Sequence, residues 1–476
     1  LWVERIGDGE MAFDAYSRCF KVEPQNEIAR GELERLAGIA ERWDDLAKLY
    51  EEATSEALDA PLSHELLLKL AALMEERLEQ PERAIEFYRR AQELEPEHAP
   101  TLDALERLYQ RGEKWNELLE VYRRKADLSL DAAEREGLFV KMAMIWEEML
   151  HNLAEAVSCY NEILAQEDGN IEALRALDRL YQEQSAWHEL ADNLGRQLAL
   201  AETSGEKVEL LVRLAKLRET ELSETAAAVD TYRQVLELDP VNEPAVGALE
   251  GLIENEEHQQ TVAQILEPYY KGAGDWQHLI QIYEIMVNHA YDPARKIELL
   301  HQIAELYEVA GEDPASAFGV FGRALREDAS HEQTLASLER LARSLGGWEQ
   351  LVALLNELVA DVMDEMLAVA LHMKVATIWE IELGNLAEAA EAYKRILALD
   401  NQNLAAVDAL EQIYVRSEQY PELVAILLKK AEIMLEADER KQLFFRAAQI
   451  NEEILEAFEK AIEVYAMVLD IDDSDA

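Results

Sequence analysis

The sequence predicts an all-α fold in which antiparallel helix hairpins stack into a solenoid. Three observations predict it: a low content of helix-breaking residues, apolar residues at helical spacing, and an internal repeat. The 476 residues include only 19 Gly and 11 Pro, which is few for a chain rich in loops and tight turns. The apolar fraction of 49% is enough to bury a core along the chain, which excludes a disordered polypeptide.

Two aromatic residues mark the internal repeat. One closes the pattern Ala-x-x-x-Tyr/Phe, and its positions are 72 residues apart except for one step of 89: Tyr16, Tyr88, Tyr160, Tyr232, Phe321, Tyr393 and Tyr465. The other opens the pattern Trp/Tyr-x-x-Leu and shows the same break: Trp43, Trp115, Trp187, Trp276, Trp348 and Tyr420. Two markers that share a period and a break define a 72-residue block.

Each block is long enough for about four helices and their turns. Apolar residues such as Leu102, Leu105 and Leu108 recur at three-residue steps, which is typical of one helix face and not of a strand. Helix-breaking residues fall between such segments: Glu95-Pro96 ends one helix, and Arg111-Gly112-Glu113 separates two others. This punctuation favours stacked hairpins over a continuous coiled coil.

The single longer step adds 17 residues between Ile253 and Trp276. Apolar residues within it have helical spacing, so we predict one extra helix near 259–271, which Pro268 is expected to kink or shorten. In the alternative, the added residues lengthen an existing helix and its loop, and the path of the stack is unchanged. The predicted regions are an N-terminal array at 1–253, an insertion at 254–275 and a C-terminal array at 276–476.

The residues of individual hairpins resemble the tetratricopeptide repeat. The family's order of large, small and aromatic residues is followed by Leu67, Leu70, Ala71, Ala84, Tyr88, Ala91 and Pro96, and again by Leu102, Leu105, Tyr109, Trp115, Leu118 and Tyr122. Glu106 stands where the family usually has Gly or Ala, and Leu118 where it has Ala. The resemblance covers nearly the whole chain. It implies a right-handed superhelix of antiparallel hairpins, in which the first and third helices of each block line a concave groove.

The resemblance also implies a protein or peptide partner and no catalytic chemistry. The sequence has no Gly-rich phosphate loop and no Gly-x-Ser-x-Gly elbow. His188-Glu189 and His331-Glu332 lack the second His of a zinc-binding helix. Cys19 and Cys159 are too few for a disulfide framework and are expected to be buried as small apolar residues. We therefore expect no catalytic residue, no metal and no cofactor.

The charge of the chain limits its partners. Lys and Arg number 45 against 98 Asp and Glu, a formal net charge of −53, which repels nucleic-acid phosphates and anionic lipids. No run of apolar residues is long enough to span a membrane. Glu75-Glu76, Glu147-Glu148 and Glu452-Glu453 are expected on a solvated outer face, or else on a docking surface for a basic partner.

Basic residues nevertheless recur at the block period. We call them the basic stripe, and they are Arg35, Lys69, Arg107, Lys141, Arg179, Arg213, Arg340, Lys374 and Arg446. Lys69 and its equivalents lie on the first helix of a block, whereas Arg35 and its equivalents lie on the third. Gln302 and Gly251 interrupt the two series. By the resemblance, both positions point into the groove.

Two interpretations of the basic stripe are open. The residue before each third-helix position is acidic, and these carboxylates could pair with the stripe in a ladder of salt bridges that fixes hairpin register: Glu34, Glu106, Asp178, Glu250, Glu339 and Glu411. Alternatively, part of the stripe is free to grip an acidic peptide or a chain terminus, as some members of the family do.

We therefore expect a non-catalytic scaffold that binds a client protein or peptide in its concave groove. The alternative is a structural spacer that self-associates within a larger, bacterial-style assembly. Solenoids need polar terminal caps, and neither end has an evident one, so we expect either an excerpt of a longer array or ends that a partner covers. Uncapped ends and uniform repeats favour the spacer. The sequence names no compartment, and the cytoplasm is the working expectation.

Overall fold

The computed structural model describes residues 9–55 and 59–471. Within these ranges helices alternate with short turns, and no strand is present. Internal contacts divide the chain between Asp239 and Pro240 into an N-terminal unit and a C-terminal unit, which are described separately. The predicted all-α solenoid is confirmed.

The helices of the N-terminal unit pair into consecutive hairpins. They are α1 (Gly9–Val22), α2 (Glu27–Ala40), α3 (Trp43–Ser55), α4 (Ala60–Glu76), α5 (Pro81–Leu94), α6 (Ala99–Arg111), α7 (Trp115–Leu128), α8 (Ala132–Met144), α9 (Leu153–Gln166), α10 (Ile171–Glu183), α11 (Trp187–Leu200), α12 (Ser204–Thr220) and α13 (Thr225–Leu238). A π-helical turn, Ile145–Met149, directly extends α8.

The C-terminal unit opens with a short helix and then resumes the pattern of hairpins. Its helices are α14 (Glu243–Leu252), α15 (Gln259–Ala273), α16 (Trp276–His289), α17 (Pro293–Val309), α18 (Pro314–Glu327), α19 (Glu332–Leu345), α20 (Trp348–Asp361), α21 (Glu365–Thr377), α22 (Leu386–Leu399), α23 (Leu404–Arg416), α24 (Tyr420–Ile433), α25 (Ala437–Gln449) and α26 (Phe458–Ile471). Helices α21 and α25 also end in π-helical turns, at Ile378–Glu382 and Ile450–Ile454.

Alanines bring the helices of a hairpin close together. Ala71 of α4 and Ala84 and Ala91 of α5 have no exposed surface, so their helix axes can approach while larger side chains fill the remaining space. The aromatic marker represented by Tyr88 belongs to this core. It is 3–8% exposed at Tyr88, Tyr160, Tyr232, Phe321 and Tyr393, as predicted.

Short polar side chains fix where many helices begin. Asn26, Asn170, Asn242 and Asn403 stand at the same place in four blocks, and each accepts a hydrogen bond from the backbone N–H three residues later. This N-cap satisfies one of the backbone donors that a helix start leaves unpaired. The third helix of each of these blocks therefore starts at a defined residue.

The turns contain residues in the left-handed backbone region, where φ is positive. Nine of them among the described residues are not glycine: Glu41, Glu79, Glu113, His151, Ser185, Ser223, Glu312, Glu418 and Glu456. In the predicted turn at 111–113 the left-handed residue is Glu113, with φ 53°, and not Gly112. Residues with a Cβ adopt this conformation at a steric cost that glycine avoids.

Two details correct or extend the sequence predictions. The predicted extra helix is α15, which runs through Pro268 and ends at Ala273 without being shortened. Cys159 is buried as expected, but Cys19 is exposed, so the prediction that both are buried is wrong. Cys19 lies between buried Phe20 and exposed Arg18 on α1. The predicted domain limits at 253 and 276 stay a prediction.

Candidate functional site

The first-helix members of the basic stripe pair with a carboxylate on the preceding third helix. Lys69 Nζ lies 2.8 Å from Glu34 Oε1. The same pairing, always across 35 residues, joins Lys141 with Glu106, Arg213 with Asp178, Lys374 with Glu339 and Arg446 with Glu411. We call these ion pairs the carboxylate ladder. Its pairing of third-helix carboxylates with first-helix cations is the arrangement that the salt-bridge interpretation of the basic stripe describes.

The third-helix members of the stripe pair with different carboxylates. Arg107 donates from Nε and Nη2 to the two carboxylate oxygens of Glu75, at 3.0 and 2.8 Å. Arg179 with Glu147, and Arg340 with Glu308, also make a two-point contact, but donate from Nη1 and Nη2. Arg35 differs, because it pairs with Glu32 of its own helix at 2.6 Å. A planar guanidinium that meets a carboxylate at two points fixes orientation as well as distance.

The expectation that Glu75 and Glu147 lie on a solvated outer face is wrong. Their side chains are 14% and 16% exposed, because each packs beneath an arginine of the next hairpin. A signal for this role exists in the sequence, since the position is Glu in six blocks: Glu75, Glu147, Glu219, Glu308, Glu380 and Glu452. Glu452 is exposed, as expected, and accepts a hydrogen bond from Tyr465.

The tyrosine marker also contacts this second set of carboxylates. The Tyr232 hydroxyl donates to Glu219 at 2.8 Å, and the Tyr393 hydroxyl donates to Glu380 at 3.2 Å. Burial, reinforced by the charge of Glu75, raises the pKa of Tyr88 to about 12. These phenols therefore stay protonated near neutral pH and act as hydrogen-bond donors to the glutamates.

Two glutamates of the ladder each bind more than one cation. Burial alone would favour the neutral form of Glu106, but hydrogen bonds and charges from Lys125 and Lys141 outweigh it and lower the pKa of Glu106 below 4.5. Burial likewise opposes ionisation of Glu411, and Lys430 and Arg446 lower its pKa. Both carboxylates are therefore ionised and doubly paired at neutral pH.

The ladder changes where the block period breaks. Gln302 takes the place of the first-helix cation, and Gly251 takes the place of the third-helix arginine. Glu250, the carboxylate at this point, accepts a hydrogen bond from the Tyr270 hydroxyl at 2.5 Å. Tyr50 donates to Glu34 in the same way, at 2.9 Å, so Glu250 keeps the phenol donor, which here comes from the extra helix α15.

The paired cations of the stripe keep part of their surface in solvent. Their side chains are between 35% exposed, at Lys69, and 60% exposed, at Arg107. An arginine has five N–H donors, and Arg107 uses Nε and Nη2 on Glu75. The stripe can therefore offer further hydrogen bonds without breaking its ion pairs.

The described residues contain no group of three or more His, Cys, Asp and Glu side chains arranged to hold a metal ion. In the same part of the chain, no helix has both the length and the apolar character needed to cross a bilayer.

Comparison with known proteins places the hairpins in a family. Two family models described as tetratricopeptide repeat match residues 66–98 and 101–136. The first range begins within α4 and includes all of α5, and the second begins within α6 and includes all of α7. No curated protein matches the chain in sequence.

Several solved structures are similar in backbone. A structure of Naa15/Naa10 bound to HypK-THB has a TM-score of 0.31 and 14% identity, over 96% of this chain and 77% of that one. The P58(IPK) TPR domain has a TM-score of 0.22 and 16% identity, over 85% of this chain and 98% of that one. Yeast Tom70 has a TM-score of 0.22 and 12% identity, over 83% and 97%. These scores are too low to carry a conclusion about function. Residues 66–98 and 101–136 are therefore tetratricopeptide repeats, and the residue pattern of these two hairpins recurs along the chain at the block period.

Proposed function

We propose that the chain is a non-catalytic scaffold that binds a client protein or peptide along the basic stripe. The observation that carries the proposal is the recurrence of half-exposed cations at one position per helix, each already held in place by a carboxylate. Because a carboxylate already orients each cation, the cation loses little further side-chain entropy when a client contacts it. The basic stripe is thus preorganised for hydrogen bonding.

The ion pairs and client binding are compatible in energy. Exposed pairs of this kind contribute roughly 0–1 kcal/mol each, so a client carboxylate can share or replace a partner at small cost. The net charge of −53 disfavours a client that is acidic overall. At about 0.1 M salt, however, charges beyond roughly 10 Å are screened, so the affinity for a client depends mainly on its local contacts with the basic stripe. We therefore propose a client with a local acidic group or chain terminus, in a segment that is otherwise not strongly acidic.

A triple substitution in the N-terminal unit tests the proposal. Lys141→Gln, Arg179→Gln and Arg213→Gln remove three stripe cations, and we expect client capture from an extract of the native source to fall at least several-fold. Quantitative mass spectrometry of the captured proteins measures the fall. Thermal denaturation of the same variant reports how much stability the ladder contributed.

The matched control removes the same charge from exposed residues outside the stripe. Arg89→Gln, Arg124→Gln and Arg196→Gln lie on the second or fourth helices of their blocks, and this variant should capture the client as the unmodified chain does. Equal losses in the two variants would show that total charge, and not the stripe, controls binding. If the stripe variant melts at a lower temperature yet still captures the client, the basic stripe has only a structural role.

One observation favours the alternative of a self-associating spacer. A large apolar residue stands two positions before the first helix of four blocks and is 95–100% exposed: Leu130, Tyr291, Met363 and Leu435. A second copy of the chain that covered this series would remove these apolar groups from water. On this alternative the sedimentation coefficient rises with protein concentration, and Tyr291→Ser, Met363→Ser and Leu435→Ser together abolish the rise. A coefficient that is constant over the concentration range would exclude the spacer.

A further inference from the structure

A cavity of about 500 Å³ lies in the C-terminal unit where the block period breaks. It is formed by α15, α16 and α17, and its walls include Tyr270, Trp276, Tyr283, Gln302, Glu305 and Ala310. Three aromatic side chains, together with Gln302, Glu305 and the cation Lys271, thus surround a space large enough for a side chain from another molecule.

Two of the four equivalent tryptophans, Trp43 and Trp348, show what fits beside Trp276. Arg77 places its guanidinium 5.3 Å from the ring centroid of Trp43, and Arg343 places its guanidinium 5.7 Å from that of Trp348. Arginine over an indole ring is a favourable cation–π contact. In these two blocks the chain supplies the cation itself.

The residues that would supply such a cation at Trp276 do not do so. The counterpart of Arg77, 34 residues after the tryptophan, is Ala310, which has no side chain to reach the ring. The counterpart of Arg343, five residues before the tryptophan, is Lys271. Its ammonium pairs with Glu267 at 2.8 Å and lies 5.8 Å from the Tyr283 ring centroid. The charge of Lys271 is therefore locally neutralised.

The polar groups of the cavity call for a hydrogen-bond donor. Gln302 Oε1 is buried and has no hydrogen-bond partner within the described part of the chain. An amide oxygen can only accept a hydrogen bond, and leaving it buried and unpaired is unfavourable. Glu305, exposed at the edge, adds a carboxylate. Gln302 and Glu305 therefore offer acceptors to a ligand, and Lys271, the cation of the cavity wall, is already paired with Glu267.

We propose that this cavity binds an arginine side chain of a partner protein, whose guanidinium stacks on Trp276 and donates hydrogen bonds to Gln302 and Glu305. The planar guanidinium satisfies all three groups at once, whereas a lysine ammonium has no face with which to stack. The inference rests on the proposed function only in that the occupant belongs to another protein. It assigns a site at the interruption of the basic stripe, with the opposite charge preference.

A fluorine NMR titration of the full chain tests the assignment directly. Protein labelled with 5-fluorotryptophan gives a signal for each of its eight tryptophans, and Trp276→Phe identifies the Trp276 signal. The probe is the peptide acetyl-Gly-Ser-Arg-Gly-Ser-amide. We expect it to shift the Trp276 signal in a saturable manner. The same peptide with lysine or citrulline in place of arginine should give less than a third of that shift.

Ala310→Arg provides the matched variant, because it fills the cavity from within the chain. Ala310 and Arg77 both occupy a right-handed helix C-cap, with φ −92° and ψ −37° against φ −110° and ψ −38°, so the backbone accommodates the change. We expect the variant to move the Trp276 signal without peptide and to lose the peptide response. Gln402→Arg, an exposed turn residue of the same unit, adds the same charge and should change neither.

Three results would overturn the assignment: no saturable shift at Trp276, an equal shift with the citrulline peptide, or a response that persists in Ala310→Arg. The titration needs no client, so its failure removes the cavity assignment and leaves the scaffold proposal to its own test.

Discussion

Substituting Phe87 with alanine is expected to lower the local free energy of unfolding by about 3–5 kcal/mol, the usual cost of deleting a fully buried aromatic side chain. Phe87 is 1% exposed and belongs to the continuous core of the N-terminal unit. In a stacked array each hairpin contacts only its neighbours, so the loss should be confined to nearby helices. Hydrogen exchange measured by mass spectrometry should show faster exchange in α4 to α7 and unchanged exchange in α16 to α20.

Leu94→Ala on the same helix is the control for Phe87→Ala. Leu94 is 42% exposed, so its truncation should cost less than about 1 kcal/mol. Faster exchange throughout both units in the Phe87 variant would contradict nearest-neighbour stability. It would mean that the chain unfolds as one cooperative body.

Replacing Glu411 with glutamine should cost about 2 kcal/mol at neutral pH, between the values for exposed and buried ion pairs. The Glu411 side chain is 14% exposed, and Lys430, which is 19% exposed, lies 2.7 Å from it. Removing the carboxylate leaves Lys430 with Asp408 and deprives Arg446 of its partner. Hydrogen exchange of α23 to α25 measures the loss, and Glu463→Gln on the exposed face of α26 is the charge-matched control.

The effect of Glu411→Gln should depend on pH with a defined sign. The pKa of Glu411 in the folded chain is lowered from 4.5, so its stabilisation is fully present above pH 4.5 and is lost as the pH falls through the folded-state value. The difference in stability between the unmodified chain and the variant should therefore shrink below pH 4.5. A difference that stays constant down to pH 3 would show that ionisation of Glu411 does not support the fold.

The packing of the array could be predicted because its residues repeat. Tyr88 and Ala84 recur in block after block, and a position that is aromatic or small at every period can only be explained by a shared neighbour. The structure accordingly finds both residues buried. The extra helix could be predicted for the same reason. The break in the period indicates its length, and the spacing of its apolar residues indicates that it is a helix.

The candidate site was only partly predictable. The pairing of Lys69 with Glu34 follows from their shared period, but Glu75 reads locally as one of two adjacent surface acids. Only its position beneath Arg107, 32 residues away, shows that it is covered. The cavity beside Trp276 depends on a side chain that is missing, at Ala310, and on the direction that Lys271 takes. Neither is encoded in a local pattern.

The left-handed turn residues have a consequence for the chain in solution. Six of the nine are glutamates, although glycine would relieve roughly 1–2 kcal/mol of steric cost at each position. These six turns thus carry an anionic residue at the cost of backbone strain. Two molecules that approach apex to apex meet mutual repulsion, and crowding along those edges should be discouraged even at high concentration.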